Sequence, residues 1–288
     1  MSIRTLKEAL DWAETRKVAL GHFNISESSA FKAITKAAKD LDVPIIIGTS
    51  EKEAEYVDID VATAMVKDMR DEMGHPIFLN ADHFKNLDNI KNAVRAGYDS
   101  VMFDAADEPL GTNIGKTKQA VALAKDLNRD VLVEGELGYI GESSKVLEGV
   151  PQEIDANTLP TPEEIKKFVQ ETGIDLVAPA VGNLHGMYRD FPNPHLRIGL
   201  IYSLAEAAGV PLVLHGGSGI NNEDFVAAIR AGVRIIHINT ELRVAWRAGI
   251  EEALQENKEI VPYKLLPEVE ARIYDVVKRR LKLFSGML

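Results

Sequence analysis

Cysteine is absent from this 288-residue chain. That excludes disulfides and thiolate chemistry, and it leaves nitrogen and oxygen as the donors for any metal. A basic excess is missing as well: the formal charge is −11 and the pI is near 5.2. Nucleic-acid binding needs a basic face to neutralise phosphates, so this balance argues against that partner and against a membrane-surface role. No apolar stretch approaches the roughly 20 residues that span a bilayer. The N-terminal segment Met1–Glu8 is amphipathic, without the apolar core of a signal peptide. Together these absences predict a cytoplasmic protein. What is present is a hydrophobic fraction of 45%, ample for the core of one large α/β domain.

Short β-like runs alternate with amphipathic helical stretches. Strands are expected at Val18–Asn24, Val43–Thr49, Pro76–Asp82, Ser100–Asp104, Asp130–Glu136, Asp175–Val181, Pro211–His215 and Arg234–Asn239. Several are nearly continuous apolar runs, as strands buried on both faces should be. Helical patterns lie between them, as at Asn89–Ala96, Lys116–Leu127, Glu163–Glu171 and Glu223–Ala231. Gly97, Gly173, Gly209 and Gly232 stand where helices should end, and Thr161 and Asn221 where helices should begin. The fold predicted is α/β, a single (β/α)8 TIM barrel over residues 1–288 with an extra C-terminal helix at Glu268–Phe284. An open doubly wound sheet is the alternative, but it would bring fewer strands and a nucleotide-type glycine fingerprint, which the chain lacks. Residues 138–160 break the rhythm as a long loop after the fifth strand, where functional covers often sit.

Of 7 histidines, three stand where an apolar run stops: His83, His185 and His215. Ligands bind at the carboxyl ends of parallel strands, and three imidazoles gathered there would leave a metal with an open position. Asp82 and His83 would point to opposite sides of an ideal strand, and a turn at its end could bring both to the mouth. As a metal ligand and a neighbouring acid–base group they are functional; as an Asp-His pair capping the next helix they are structural. His185 has glycines on both sides in Val181–Tyr188, which lets the backbone bend close to a ligand. His215 opens the turn His215-Gly216-Gly217-Ser218-Gly219, whose free amides and hydroxyl could cradle a phosphate. Asp104 and Glu134 add carboxylates at two further strand ends.

Three neutral imidazoles suit Zn²⁺ acting as a Lewis acid. Such a centre can activate water for hydrolysis or polarise a substrate carbonyl. The glycine-rich turn beside His215 favours the second, with a phosphorylated ketose as substrate and Asp82 exchanging the proton of the hydroxyl next to the bond that breaks.

At these residues the chain resembles the class II, metal-dependent fructose-bisphosphate and tagatose-bisphosphate aldolases. The resemblance runs from Phe23-Asn24 to the C-terminal helix and rests on Leu79–His83, Val133–Gly138, His185–Tyr188 and Leu214–Gly219. It implies reversible cleavage of a ketose 1,6-bisphosphate to dihydroxyacetone phosphate and glyceraldehyde 3-phosphate. It implies His83, His185 and His215 as ligands of zinc or another divalent metal, and Asp82 as the acid–base aspartate. Asp104 and Glu134 match carboxylates that hold the metal in an alternative position. Gly186, Gly216, Gly217 and Ser218 match the dihydroxyacetone-phosphate site, where a monovalent cation (Na⁺ or K⁺) also binds. Ser50 matches a serine contacting the aldehyde half. A homodimer or larger homo-oligomer is implied as well.

The sequence also departs from the family. His237 replaces the substrate-contacting asparagine after the eighth strand, in His237-Ile238-Asn239-Thr240, while Thr240 is retained. The acid of the 138–160 loop becomes Glu142. The arginine for a second phosphate has no clear position, a basic residue of the C-terminal helix being the candidate. Altered surroundings leave open a different sugar phosphate, a metal hydrolase on the same barrel, or a non-catalytic sugar-phosphate binder.

Overall fold

The computed structural model describes residues 3–141, 144–151, 154–155, 158–256 and 258–288. Ten strands occur among them: β1 (Leu20–Asn24), β2 (Ile45–Ser50), β3 (Ile77–Phe84), β4 (Ser100–Phe103), β5 (Leu132–Leu137), β6 (Val146–Leu147), β7 (Leu176–Pro179), β8 (Met187–Tyr188), β9 (Leu212–Leu214) and β10 (Val233–Ile238). Eight of these close a parallel barrel in the order β1-β2-β3-β4-β5-β7-β9-β10, with β10 pairing back onto β1. This is the (β/α)8 barrel predicted, and its eight strands coincide with the eight expected runs. The remaining two, β6 and β8, form a small parallel pair of their own. Within the 138–160 stretch, Val146 and Leu147 therefore pair with the segment that follows His185.

Helix ends form where the chemistry of the sequence asks for them. Gly97, Gly173 and Gly209 take left-handed C-caps, with φ of 107°, 73° and 68°. Thr161 and Glu164 close a reciprocal capping box at the start of helix Pro162–Thr172. The C-terminal helix is longer than expected, Pro262–Phe284, and packs Val269, Ile273, Val277 and Leu281 into the main core.

Two apolar clusters divide the molecule. The larger lies between the sheet and its helices. The smaller fills the lower barrel with Leu20, Ile46, Phe78, Leu132, Val213 and Ile235, and helix Leu6–Arg16 caps it with Leu6, Leu10 and Ala13. Side chains two apart share a face of a strand. Two residues up from five of these six positions the interior turns polar: His22 after Leu20, Asn80 after Phe78, Glu134 after Leu132, His215 after Val213 and His237 after Ile235, all buried, while Ile46 is followed by Gly48. The same period then carries Asn24, Asp82 and Glu136 towards the mouth. One barrel thus holds a dry floor and, above it, a layer of ionisable groups.

Candidate active site

The register along β3 explains how adjacent residues reach one site. Pairing with β4 shifts between Ala81 and Phe84, and His83 adopts a left-handed φ of 53°. That irregularity turns the His83 ring, which a regular strand would direct outward, to the same cavity as Asp82. A non-glycine residue at positive φ costs free energy, and such strain persists where the surroundings impose it.

His83, His185 and His215 come together, each offering a nitrogen within 4.8 Å of the others. Every ring is also tied by its second nitrogen. His83 Nδ1 donates to Asp104 Oδ2 at 3.1 Å, His215 Nε2 to Glu134 Oε1 at 2.7 Å, and His185 Nδ1 to the Gly141 carbonyl at 2.5 Å. Carboxylates and carbonyls only accept, so these bonds place a proton on each outward nitrogen, and an inward nitrogen offers a lone pair only while its ring is neutral. His83 Nε2 and His215 Nδ1 face each other at 2.8 Å, a hydrogen-bonding separation between the two rings. Orientation of imidazoles by outer acceptors is what metal-ligating histidines require, and the all-nitrogen donor set fits Zn²⁺.

Burial opposes charge on His83, but Asp82, Asp104 and Glu136 outweigh it and lift its pKa to about 10. Burial pushes His185 down to about 3 and raises Glu136 to about 7. Burial would raise Asp82 too, yet the His83 charge and contact with His237 hold it well below the usual carboxylate range. Positive charge in the cluster is thus favoured on His83 and disfavoured on His185.

Asp82 accepts from Asn24 Nδ2 at 2.9 Å through Oδ2. Its Oδ1 lies 3.3 Å from His237 Nδ1 and has no aligned hydrogen-bond partner among the described residues. His237 stacks between His22 and His215, with ring centroids 3.5 and 3.9 Å away. Burial keeps His22 at about 4 and His237 well below its ordinary value, so both rings are neutral.

Next to the histidines, the 216–218 turn is fixed by close backbone approaches. Gly216 has φ of 61°, and a Cβ there would meet the Leu184 carbonyl oxygen at 2.2 Å. Gly217 N donates to the His237 carbonyl at 3.0 Å and Gly219 N to Glu241 Oε1 at 3.0 Å, so not every amide of the turn is free. Those of Gly216 and Ser218 have no acceptor among the described residues. Ser218 Oγ accepts from Glu241 N at 3.2 Å, which sets the turn against the start of helix Thr240–Glu256. Asn193 Nδ2 donates to the Gly186 and Ser218 carbonyls at 3.0 and 2.9 Å, joining the His185 loop to this turn.

A cavity of about 560 Å³ opens over the cluster, lined by Ser50, Asp82, His83, Asp104, His185 and Asn239 among others. A narrow recess of about 30 Å³ continues below it between Asp82, His215, Gly216, Ser218, His237 and Thr240. Glu142 lies outside the described residues. No basic residue of the C-terminal helix is among those lining the cavity or the recess; Arg280 is engaged by Glu241 and Asn222, and Lys278 by Tyr274. Sequence reasoning passed over Glu136, whose signal was its position two residues after Glu134. It also passed over Asn24, Glu53 and Arg243, which no local spacing connects.

The sequence model of class-II fructose-bisphosphate aldolase matches residues 4–287. A fructose-bisphosphate aldolase of Staphylococcus aureus is 33% identical over 293 aligned positions, covering 99% of this chain and 98% of that protein. One of Geobacillus stearothermophilus is 36% identical over 272 positions, covering 92% and 91%. Among solved structures, the YdjI aldolase of Escherichia coli K12 superimposes with a TM-score of 0.82 at 29% identity, covering 97% of this chain and 96% of that one. The fructose-bisphosphate aldolase of Campylobacter jejuni shares the fold, with a TM-score of 0.81, 19% identity and coverage of 97% and 93%. The match along nearly the whole chain, on a barrel with this arrangement of histidines, makes the protein a member of the class II fructose-bisphosphate aldolase family, a family of carbon–carbon lyases.

Proposed function

We propose that the protein is a divalent-metal aldolase that reversibly cleaves a ketose 1,6-bisphosphate of the fructose or tagatose type to dihydroxyacetone phosphate and glyceraldehyde 3-phosphate. One observation carries this reading: three imidazoles, each held from behind by an oxygen acceptor, converge beside an ionised Asp82 beneath an open cavity. His83, His185 and His215 would hold the metal, preferably Zn²⁺. When bound, the cation supplies a Lewis acid for the substrate carbonyl. Asp104 and Glu134 orient two of the ligands and offer a second set of oxygens to the metal.

Asp82 Oδ1 takes the proton from the hydroxyl next to the breaking carbon–carbon bond. The bonding pair passes to the carbonyl-bearing half while the other half leaves as an aldehyde. In the reverse direction Asp82 returns that proton. Glu142 is proposed as the acid of the loop, which would give the carbonyl-bearing half the proton that completes dihydroxyacetone phosphate. The unpaired amides of Gly216 and Ser218, with Gly186, Gly217, Asn239 and Thr240 around them, suit the phosphate of the dihydroxyacetone half near a helix N-terminus. Carbonyls there could also hold Na⁺ or K⁺. Ser50 lines the same cavity and is proposed to contact the aldehyde half. His237 carries two unpaired nitrogens into the recess, which favours a sugar phosphate differing from the usual one near that residue.

A homo-oligomer and a cytoplasmic location belong to the same proposal. No helix among the described residues is long and apolar enough to cross a membrane. Incubation of the purified protein with fructose and tagatose bisphosphates, with and without chelator, tests the function. Release of triose phosphate that chelator abolishes and metal restores is expected; chelator-resistant cleavage rules the mechanism out.

A further inference from the structure

Glu53 is a buried carboxylate, only 8% exposed, that the proposed chemistry does not use. It sits in helix Glu51–Val57 at the rim of the cavity. Its Oε2 accepts from the Ser50 amide at 2.9 Å and from Asn24 Nδ2 at 2.9 Å. Its Oε1 accepts from Arg243 Nη2 at 2.7 Å. The same Asn24 nitrogen donates to Asp82 Oδ2 at 2.9 Å.

A primary amide has two N–H groups, and here both go to carboxylates. Carboxylates only accept, so this pairing fixes which way the Asn24 amide faces. With Oδ2 of Asp82 pinned, Oδ1 is the oxygen left without an aligned partner, beside the cavity. Two buried anions sharing one neutral amide would repel, and the guanidinium of Arg243 offsets one of them. Arg243 is itself steadied by the Ser144 carbonyl at 3.2 Å.

We propose that Glu53, held by Arg243, is a positioning residue for Asp82 that acts through Asn24. Without the Glu53 carboxylate the Asn24 amide can turn, the Asp82 carboxylate loses its fixed rotamer, and Oδ1 no longer meets the substrate hydroxyl in reactive alignment. This inference rests on the reading of Asp82 as the proton-transfer group.

Steady-state kinetics on the metal-loaded enzyme, with bound metal per chain and thermal midpoint measured on every variant, test it. Glu53→Ala should lower kcat about ten- to a hundredfold, the scale set by misaligning a catalytic group, with KM changed less than about twofold and metal content unchanged. Glu53→Gln keeps an oxygen for Asn24 but turns its NH2 group towards the Arg243 guanidinium, so it should recover only part of that loss. In an Asn24→Ala background, Glu53→Ala should slow the enzyme no further, because two links of one chain are not additive. Wild-type kcat in Glu53→Ala, no recovery in Glu53→Gln, or multiplied losses in the double variant would each overturn the proposal. Should Glu53→Ala not fold, Arg243→Met on the half-exposed guanidinium carries the test. A several-fold fall in kcat at constant KM supports the chain of contacts, whereas a raised KM at constant kcat makes Arg243 a substrate contact and overturns it. Asp82→Ala is measured alongside: full activity there sinks the assignment of Asp82 itself, a result distinct from any outcome at Glu53.

Discussion

His237 lies flat against His22, with ring centroids 3.5 Å apart and planes inclined by 6°. The stack is built from below: a Cβ on Gly48 would meet His22 Cε1 at 2.1 Å, so the ring fills the space that this glycine leaves. Asn80 Nδ2 donates to His22 Nε2 at 3.1 Å and holds the ring from the barrel axis. His22→Ala should therefore open a hole under His237 and cost about 2–4 kcal/mol. Thermal denaturation should show a midpoint lowered by about 5–10 °C, and KM for the sugar phosphate should rise as His237 loses its support. An unchanged midpoint would show that the stack carries no packing energy.

Asp82→Ala removes the proposed proton-transfer oxygen and leaves the three histidines in place. The expected loss in kcat is about 10²–10⁴-fold, with bound metal unchanged by elemental analysis. A variant that loses metal and activity together would instead make Asp82 part of the metal's surroundings.

Gly216→Ala puts a methyl group 2.2 Å from the Leu184 carbonyl oxygen at a φ of 61°. The backbone must move, and both the turn and the neighbouring His185 loop move with it. A loss of about 1–3 kcal/mol in stability is expected, together with a raised KM for the phosphorylated substrate. Unaltered KM would place the phosphate elsewhere.

His75 reports on pH away from the site. Its Nε2 donates to the Val43 carbonyl at 2.8 Å, and burial lowers its pKa. The folded state therefore favours the neutral ring. Its contribution to stability is present above the unfolded value near 6.5 and is lost as the pH falls through the depressed folded value. His75→Gln keeps a donor for Val43 but removes the titration. The drop in denaturant midpoint between pH 7 and pH 5 should shrink in this variant, and an equal drop in both proteins would refute the linkage.

Much of this was legible in the sequence because local chemistry and global fold agree. The eight expected runs and the eight barrel strands coincide to within about two residues at most ends, since glycine C-caps and buried β-branched runs punctuate the chain in the same places. The gathering of His83, His185 and His215 follows from barrel topology, which sends every strand's carboxyl end to one rim. The meeting of Asp82 with His83 was harder to foresee. It depends on a register shift and a left-handed histidine, and neither leaves a glycine in the sequence as a marker. Glu136 was available to a period-two reading of β5. The Asn24–Glu53–Arg243 contacts were not, because residues 24, 53 and 243 meet only once the barrel has closed.

The parallel pair β6–β8 has a mechanical consequence. Met187 N donates to the Lys145 carbonyl at 3.1 Å, Arg189 N to the Leu147 carbonyl at 3.0 Å, and His185 N to the Ile140 carbonyl at 3.0 Å. Through these bonds, and through the Gly141 carbonyl at its ring, His185 is sewn into the segment that follows β5. That segment cannot swing clear of the cavity without tugging one imidazole away from the other two. Access to the cavity and the grip on its centre are therefore geared together, and any displacement that widens one loosens the other.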